Sequence, residues 1–531
     1  MIPTWHGLET AKRGINTQQT ALYTISHNIA NANTDGYTRQ RVNFSTTTPY
    51  PGTGMNRPGI PGQIGTGVEA GTIERVRESF LDLQYRLENN KFGYYSTLSS
   101  ALSKMEDIMN EPSNSGLSNV MDKFWSALQD LANHTENTGA REVVATTGKM
   151  VADTFNYYYN SLNRIKNDLG TEINVTVKEI NTLISQINEL NEQIARVEPH
   201  GQLPNDLYDK RDLLVDQLSG LVNIKVTNVV PKNYGRALPT ATGLYQIELV
   251  QADGSSYSPI ARLINVDYSS GRSSANEMKV VDEFNYSDPL RGNVSYVMVG
   301  NQKLEHADFS GKLAGLIESY GYLDQDGSVK GHYPEIMENL NKLTEAFAKE
   351  FNHVHRSGFD LNGQAGEDFF IFDANNPAGS ITVNSYILED SARIAAGKNP
   401  GESGDNENAK RLAAIKSKDF NQYEYIKQLD ANGNPKETLP KGLSGSFDSY
   451  YAGIIGNMGV KSQSFRKDME NTQVLVDSVQ YNRQSVSGVS LDEEMTNMIS
   501  FQHAYNASAR MITVIDEMLD KIINGMGVVG R

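Results

Sequence analysis

Few residues in this sequence have the type and spacing that metal binding requires. His353 and His355, with Glu350 nearby and His332 further upstream, could supply imidazole and carboxylate ligands to a divalent ion. Residues two apart on a helix point to different faces, however, whereas helical ligand pairs usually lie three or four residues apart. We therefore predict that these side chains belong to an ordinary polar helix end and that they hold no metal.

Three acidic turns resemble the beginning of a calcium-binding loop; they start at Asp324, Asp360 and Asp430. An EF-hand loop requires a central glycine and a bidentate glutamate at its twelfth position. Only the first segment has that glutamate, Glu335, and its central glycine is out of register. The sequence therefore predicts plain turns. Because it also lacks nucleophile and dinucleotide-binding motifs, it predicts neither an enzyme nor a cofactor.

The composition narrows the class of protein. The chain has 531 residues, no cysteine, and 48 Lys and Arg against 64 Asp and Glu, which gives a formal net charge of −16. An acidic chain repels phosphate, so we expect it to bind neither nucleic acid nor an anionic membrane. Without cysteine there are no disulfides and no thiolate chemistry. We find no apolar run long enough to span a bilayer and no Sec-type signal at the N-terminus.

Both ends of the chain carry apolar stripes whose spacing alternates between three and four residues. This is the a/d pattern of a helix that needs a partner helix. The N-terminal stripe comprises Leu8, Ala11, Ile15, Gln18, Leu22, Ile25 and Ile29. The C-terminal stripe comprises Leu491, Met495, Met498, Gln502, Tyr505, Ala509, Ile512, Asp516, Leu519 and Ile523. We predict that the ends pair, form the assembly interface, and become ordered only when neighbouring subunits supply the missing surface.

Periodicity between these stripes predicts mostly helices. The predicted elements are a helix at 4–31, a strand at 38–48, an extended Gly/Pro loop at 49–71, and helices at 74–109, 117–131, 140–169, 171–197, 207–221, 336–355 and 447–485. Alternating residues predict a β-rich segment at 223–310. Charges alternate along Asp209, Lys210, Arg211 and Asp212, and we expect this face to be solvated.

These elements predict a mainly α fold with inserted β domains, in an elongated molecule of several domains. The predicted domains are a terminal helical assembly domain (1–48 and 487–531), a helical bundle (49–222, 311–358 and 446–486), a β-rich insert (223–310) and a smaller mixed insert (359–445). Runs of tyrosine at 94–95, 157–159 and 450–451 have two explanations that the sequence leaves open. One ring packs inside while the others lie on the surface, or the rings form a protein interface.

One strip of sequence carries a specific resemblance. Residues 30–40, Ala30-Asn31-Ala32-Asn33-Thr34-Asp35-Gly36-Tyr37-Thr38-Arg39-Gln40, resemble the signature of the bacterial flagellar axial family of rod, hook and hook-associated proteins, where it also follows an N-terminal helix. The segments 351–363, 404–409 and 487–505 resemble the members of that family that lie at the hook–filament junction. The resemblance runs from one end of the chain to the other and is weakest across 223–330.

The resemblance implies a non-enzymatic structural subunit that forms a ring between hook and filament. It implies export by the flagellar type III apparatus and a position outside the cell, in the flagellum. As partners it implies other copies of the chain, the hook protein, the second hook-associated junction protein, and a cytoplasmic export chaperone that binds the C-terminal helix.

Two alternatives remain open at this stage. The first is another flagellar axial protein, such as the hook protein or a flagellin, although flagellin lacks the strip at 30–40. The second is a secreted enzyme or adhesin whose helices present the β insert. The acidic and histidine residues available for that role are Asp282, Glu283, Asp288, Glu305, His306 and Asp308.

Overall fold

The computed structural model describes residues 5–55, 59, 62–109, 113, 116–305, 309–428 and 436–525. These residues divide into two compact units. The first unit draws on 1–90, 180–277 and 472–531, and the second on 91–179 and 278–471. Asp430, His306 and Asp308, which the sequence analysis singled out, lie outside the described residues, as does the side chain of Glu305.

Helices account for most of the described chain, which confirms the predicted mainly α fold with β insertions. Their bounds are α1 (Trp5–Ala30), α2 (Ser79–Met109), α3 (Leu117–Asn133), α4 (Thr138–Val197), α5 (Asn205–Leu221), α6 (Lys312–Tyr320), α7 (His332–Arg356), α8 (Pro377–Ser380), α9 (Ser385–Glu389), α10 (Glu407–Ala414), α11 (Phe447–Ser487) and α12 (Leu491–Asp520). Among the described residues, none of these helices is long and apolar enough to cross a membrane.

Two of the long helices show how local sequence sets their limits. The hydroxyl of Ser490 caps α12 by accepting a hydrogen bond from the Glu493 amide, and acidic residues in the first turn favour the positive end of the helix dipole. The sequence predicts a break in α4 at Gly170, but the helix is continuous. A Cβ at Gly170 would lie 2.9 Å from the ring of Tyr320, so this glycine admits a neighbouring side chain and does not end the helix.

Short sheets, mostly antiparallel, lie among the helices. In the first unit, β1 (Gln40–Thr46) pairs with β2 (Val68–Arg75), and a four-stranded sheet has the order β3-β4-β5-β6. Its strands are β3 (Ile224–Val229), β4 (Leu244–Val250), β5 (Ser256–Val266) and β6 (Ser273–Ala275). A hydrophobic core of Ile194, Tyr208, Leu244 and Val266 joins this sheet to α4 and α5.

The second unit contains a sheet of order β11-β10-β8-β7 with β9 beside β8, and a small pair of β12 and β13. The strands are β7 (Met278–Asp282), β8 (Val294–Val299), β9 (Gln302–Glu305), β10 (Tyr322–Leu323), β11 (Val329–Lys330), β12 (Phe370–Ile371) and β13 (Thr382–Val383). The strands of the predicted insert 223–310 thus lie in two sheets, β3 to β6 in one and β7 to β9 in the other. The second sheet also extends beyond residue 310, because β8 pairs in parallel with β10. Likewise, β2 occupies the end of the predicted Gly/Pro loop, where it completes a hairpin.

The core of the second unit is a cluster of phenylalanine rings around α7. Phe347 and Phe351, four residues apart on α7, are fully buried. Phe124 of α3 lies 5.4 Å from Phe351, and Phe369 lies 4.9 Å from Phe351, measured between ring centroids. Buried aromatic rings contribute large apolar areas and favour such tilted contacts, so this cluster fixes α3 and α7 to the segment around β12.

His355 makes the stability of the second unit depend on pH. Its buried ring donates from Nδ1 to the Glu367 carbonyl at 2.6 Å and accepts from the Ala395 amide at Nε2 at 2.9 Å. Burial lowers the pKa of His355 from 6.5 to about 4. As pH falls through this interval the unfolded chain takes up a proton that the folded chain excludes. We therefore expect the unfolding free energy to drop by roughly 3 kcal/mol.

Urea denaturation at pH 7 and pH 4.5 checks this expectation. His355→Leu should reduce the drop in unfolding free energy between the two pH values. His134→Leu should leave it unchanged, since the His134 side chain is 62% exposed. An equal drop in the wild type and in His355→Leu would contradict the assignment.

Candidate assembly site at the paired chain ends

The two terminal helices, α1 and α12, pack against each other in antiparallel orientation. A Cβ placed on Gly7 would lie 3.1 Å from Ile515 Cδ1, and one placed on Gly14 would lie 2.9 Å from Ser508 Oγ. Further along, Asn28 Nδ2 donates to Glu494 Oε2 at 3.1 Å. Because the residues of α1 at these contacts are small, the two backbones approach closely. The close approach leaves no room for a larger side chain at Gly7 or Gly14.

The face of α12 toward α1, its inner face, follows the same three- and four-residue steps. It comprises Glu494, Met498, Phe501, Tyr505, Ser508, Ile512, Ile515 and Leu519, which are buried or half-buried. Of the predicted stripe, Met498, Tyr505, Ile512 and Leu519 lie on this face, and their role in assembly stays a prediction. At the alternating positions the prediction is one residue out. It takes Met495, Gln502, Ala509 and Asp516, whereas the structure places the preceding residues Glu494, Phe501, Ser508 and Ile515 on this face.

The remaining predicted stripe residues range from buried to exposed. On α1, Ile25 is buried, whereas Leu8, Ile15, Leu22 and Ile29 are half-buried. On α12, Leu491 and Met495 are exposed, as is Ile523 just beyond its end. The structure thus gives each helix a partner within the chain but leaves apolar surface uncovered. Disorder of these ends in the free subunit stays a prediction, which amide exchange of the monomer can test.

A second apolar stripe, called here the outer face, lies beside the inner face of α12. It comprises Met511, Val514 and Met518 of α12 and Ile522 just beyond its end, whose side chains are between 43% and 54% exposed. The spacing of three and four residues is again that of a helix-packing surface. None of these four residues belongs to the stripe that the sequence predicts for α12, so the exposed outer face is an addition to that prediction.

Close approach of the backbones predicts that Gly14 tolerates no large side chain. Gly14→Leu should destabilise the helix pair by about 1–3 kcal/mol, because the inserted side chain overlaps Ser508. Faster amide exchange in both α1 and α12 would show this. Lys12→Leu, at an exposed position of the same helix, is the matched control. Equal exchange in the two variants would contradict close packing at Gly14.

The strip at 30–40 forms a turn that returns the chain from α1 to β1. Gly36 has φ +76°, in the left-handed region that favours glycine, and Leu213 would lie 3.3 Å from a Cβ there. The Thr34 amide donates to the Asn31 carbonyl at 2.9 Å, and the Tyr37 amide donates to the Thr34 carbonyl at 3.1 Å. Ala30, Asn33 and Thr34 are exposed and contribute to the turn mainly through the backbone.

Asn28, just before the strip, connects this turn to α12. Its Oδ1 accepts from the Tyr37 hydroxyl at 2.8 Å and from the Gln40 amide at 3.0 Å. Its Nδ2 donates to the Gln40 carbonyl at 2.8 Å and to Glu494. The side chain is fully buried, and all of its hydrogen-bonding capacity is used.

A buried cluster of charged residues, the charge cluster, supports the same region of the first unit. Asp212 is 1% exposed; it pairs with Arg75 at 2.8 Å, Arg77 at 3.3 Å and Arg86 at 3.4 Å. The cluster comprises Arg75, Arg77, Arg86, Arg211, Arg483, Asp82, Asp209, Asp212, Asp216 and Glu198. Lys210 is exposed, but the prediction that this face is solvated is wrong at Asp209, Arg211 and Asp212, which are buried. Arginines from the end of β2, from α2 and from the segment between them compensate the buried carboxylates.

The charge cluster holds both chain ends. The Thr38 amide of the turn donates to Asp209 Oδ2 at 3.0 Å, and Arg483, near the end of α11, pairs with Asp216 at 2.8 Å. Burial raises the pKa of Asp212, but the surrounding arginines outweigh burial and hold that pKa well below its usual range. The carboxylate therefore stays ionised, and the arginines stay paired.

The residues considered for metal binding or catalysis have other partners. His355 bonds to two backbone groups, His353 Nδ1 lies 3.0 Å from Gln428 Nε2, and Glu350 accepts from Lys418 at 2.7 Å. Within the described ranges, no group of three or more His, Cys, Asp or Glu is arranged to hold a metal ion. Asp360 Oδ1 accepts from the Gln364 amide at 2.7 Å, which is the geometry of a tight turn.

The β region offers no free acidic group for the alternative of an enzyme or adhesin at the positions that the structure describes. Both oxygens of Asp282 accept backbone hydrogen bonds, from Tyr286 at 2.7 Å and from Arg291 at 2.6 Å. Glu283 accepts from the Asn293 amide at 3.0 Å, and Asp288 pairs with Lys178 at 2.8 Å. These contacts stabilise the loop at 282–293 in which the three carboxylates lie.

The tyrosine runs follow the packing explanation in part. Tyr158 is 3% exposed, and its hydroxyl donates to the Met109 carbonyl at 2.8 Å. Tyr157, its neighbour in sequence, is 60% exposed. In the run at 94–95, the Tyr94 hydroxyl donates to Glu318 at 2.5 Å, so this tyrosine also contributes to packing within the chain.

Comparison with known proteins places these ends and the helical middle in one family. Family models match residues 8–38 (flagella basal body rod protein), 102–370 (flagellar hook-associated protein FlgK helical domain) and 482–525 (flagellar basal body rod FlgEFG protein C-terminal). Flagellar hook-associated protein 1 of Bacillus subtilis is 45% identical over 539 residues and covers 100% of both chains. The chain belongs to the flagellar hook-associated protein 1 family.

More distant relatives agree with this assignment. Flagellar hook-associated protein 1 of Escherichia coli is 25% identical, over 97% of this chain and 99% of that one. The structure of the flagellar hook junction protein FlgK from Burkholderia pseudomallei has a TM-score of 0.53 at 13% identity, and covers 76% of this chain and 100% of that one. At that identity the match shows a shared fold. Family membership assigns the chain a structural role among the axial proteins of the bacterial flagellum.

Proposed function

We propose that this protein is the subunit that joins hook to filament in the bacterial flagellum, and that it polymerises through α1 and α12. The observation that carries the proposal is the outer face of α12, an exposed apolar stripe beside the face that already packs on α1. Apolar side chains at helix-packing spacing favour a further helix as neighbour. In a ring of identical subunits, that neighbour is another copy of the chain.

The location of the family matches supports this role. The rod-protein models cover residues 8–38 and 482–525, which contain most of α1, the turn and α12. The segments that resemble other axial proteins are therefore the ones that form the helix pair. Axial proteins that stack on one another need compatible end surfaces, so we propose contacts with the hook protein on one side and the second hook-associated junction protein on the other.

Export is the second part of the proposal. We propose passage through the flagellar type III apparatus, after a cytoplasmic chaperone has bound the C-terminal helix. Met495, Met511 and Met518 are exposed on α12, and methionine adapts readily to different partner surfaces. A helix with such side chains suits recognition in an apolar groove. Chaperone and polymer would then compete for the same face and exclude each other.

The absence of cysteine from the sequence permits a direct test of location. Asn233→Cys places one thiol at an exposed turn of the first unit, away from both terminal helices in sequence, and a maleimide dye can label it on intact cells. We expect one narrow band where hook meets filament. Label along the whole filament or along the hook would favour another axial protein, and absence of label from flagella would contradict the proposal.

A further inference from the structure

The positions at which α1 and α12 meet repeat with the same period along both helices. Gly7, Gly14, Ala21 and Asn28 stand seven residues apart on α1, and Ile515, Ser508, Phe501 and Glu494 stand seven apart on α12. Packing that repeats with this period distinguishes poorly between alternative alignments of two helices. A polar contact at one position of such a pair is the usual means of fixing the alignment. Here that contact is Asn28 with Glu494.

The amide of Asn28 is oriented before it meets α12. Three of its four hydrogen bonds go to the turn, one with the Tyr37 hydroxyl and two with the backbone of Gln40. These contacts fix the plane of the amide and direct the remaining N–H toward Glu494 Oε2. Glu494 is 4% exposed, so a carboxylate without that donor would be buried with an unmet hydrogen-bonding requirement.

We propose that Asn28 is a positioning residue through which the turn at 30–40 holds α12 against α1, beside the more exposed ion pair of Arg39 with Glu493 at 2.5 Å. The hydroxyl of Tyr37 donates to Asn28, and Tyr37 acts on α12 by orienting that amide. The turn and the docked helix therefore form together, and a change at Tyr37 weakens the docking of α12. The inference concerns the free chain, so it can fail while the flagellar role holds, and the reverse.

A disulfide between the two helices measures docking directly. In G14C/S508C the two Cβ atoms would lie 3.6 Å apart, within the range of about 3.5–4.5 Å found in disulfides. No other cysteine is present. The equilibrium of this disulfide against glutathione gives the effective concentration of the two thiols, which falls when α12 undocks. Urea denaturation of the same full-length chain measures overall stability separately.

In this background, Y37F should lower the effective concentration two- to tenfold, which corresponds to the usual worth of about one hydrogen bond. E494L should lower it similarly, whereas E494Q retains an acceptor and should have little effect. Y481F, at a tyrosine that is 73% exposed, is the matched control. In an N28A background, both Y37F and E494L should have no further effect, because both act through the missing amide.

Two results would overturn the proposal. In the first, Y37F lowers overall stability and leaves the effective concentration unchanged, which would make Asn28 a residue of the turn alone. In the second, Y37F lowers the effective concentration as much in N28A as in the parent, which would show that Tyr37 acts on α12 by another route.

Discussion

Replacing Asp212 with alanine should destabilise the first unit by about 3–5 kcal/mol, a large share of the stability of an ordinary domain. The substitution removes the carboxylate that faces Arg75, Arg77 and Arg86 together. Each arginine keeps one other carboxylate, so the buried cluster as a whole is left with one excess positive charge. A buried charge without its counter-charge costs far more than the loss of one surface pair. Urea denaturation, or the midpoint of thermal unfolding, measures the difference.

The matched control is Asp206→Ala, on the same helix. The side chain of Asp206 is 63% exposed, and its partner is His27 at 3.3 Å. Exposed ion pairs contribute about 0–1 kcal/mol, so this variant should unfold nearly as the wild type does. If the two alanine variants lose the same stability, the charge cluster does not hold the first unit together.

Asp212 should also make the first unit sensitive to acid. Its pKa in the folded chain lies well below the value of 3.8 that it has when unfolded, because the arginines outweigh the effect of burial. The ionised form therefore stabilises the folded state above that value, and this contribution is lost as the pH falls below it. Asp212→Asn, which keeps a hydrogen-bond acceptor, should remove this part of the acid dependence. An unchanged acid profile in that variant would contradict the assignment.

Charged residues on the outer face of α12 should abolish assembly without unfolding the chain. In the double variant Val514→Asp and Met518→Asp, both side chains are exposed in the free subunit, so its unfolding free energy should change by less than about 1 kcal/mol. In a polymer the same carboxylates would be buried against a neighbouring apolar helix, at a cost of several kcal/mol. We expect a soluble, folded protein that no longer joins hook to filament.

Thr513→Asp controls for the added charge. Thr513 is exposed on the same helix but lies off the stripe formed by Met511, Val514, Met518 and Ile522. Cells that carry this control should still build filaments, whereas cells that carry the double variant should release flagellin into the medium. Filaments of normal number with the double variant would show that α12 contacts its neighbours through another face.

The terminal helices show how far sequence periodicity reaches. Three- and four-residue spacing predicts both helices and their pairing, because helix packing depends on which residues recur on one face. It does not predict that Gly14 meets Ser508, because the predicted stripes pass through the neighbouring residues Ile15 and Ala509. The sequence does contain a signal of this packing, which is the recurrence of small or polar residues every seven positions on α1, at Gly7, Gly14, Ala21 and Asn28.

The charge cluster shows a different limit. Within one helix, the alternation of Asp209 to Asp212 is indistinguishable from a solvated face. Its burial depends on arginines that are more than a hundred residues away in sequence. Likewise, the sequence predicts a single insert at 223–310, because local alternation predicts where strands lie but does not predict the sheet to which each strand belongs. Long-range pairing decides both cases.

The most direct test of the proposed function is electron microscopy of cells from which the gene for this chain has been removed. If the protein joins hook to filament, these cells should carry complete hooks without filaments. Expression of the wild-type chain, but not of the Val514→Asp and Met518→Asp variant, should restore the filaments. Filaments of ordinary length and number on the deletion strain would contradict a junction role for this protein.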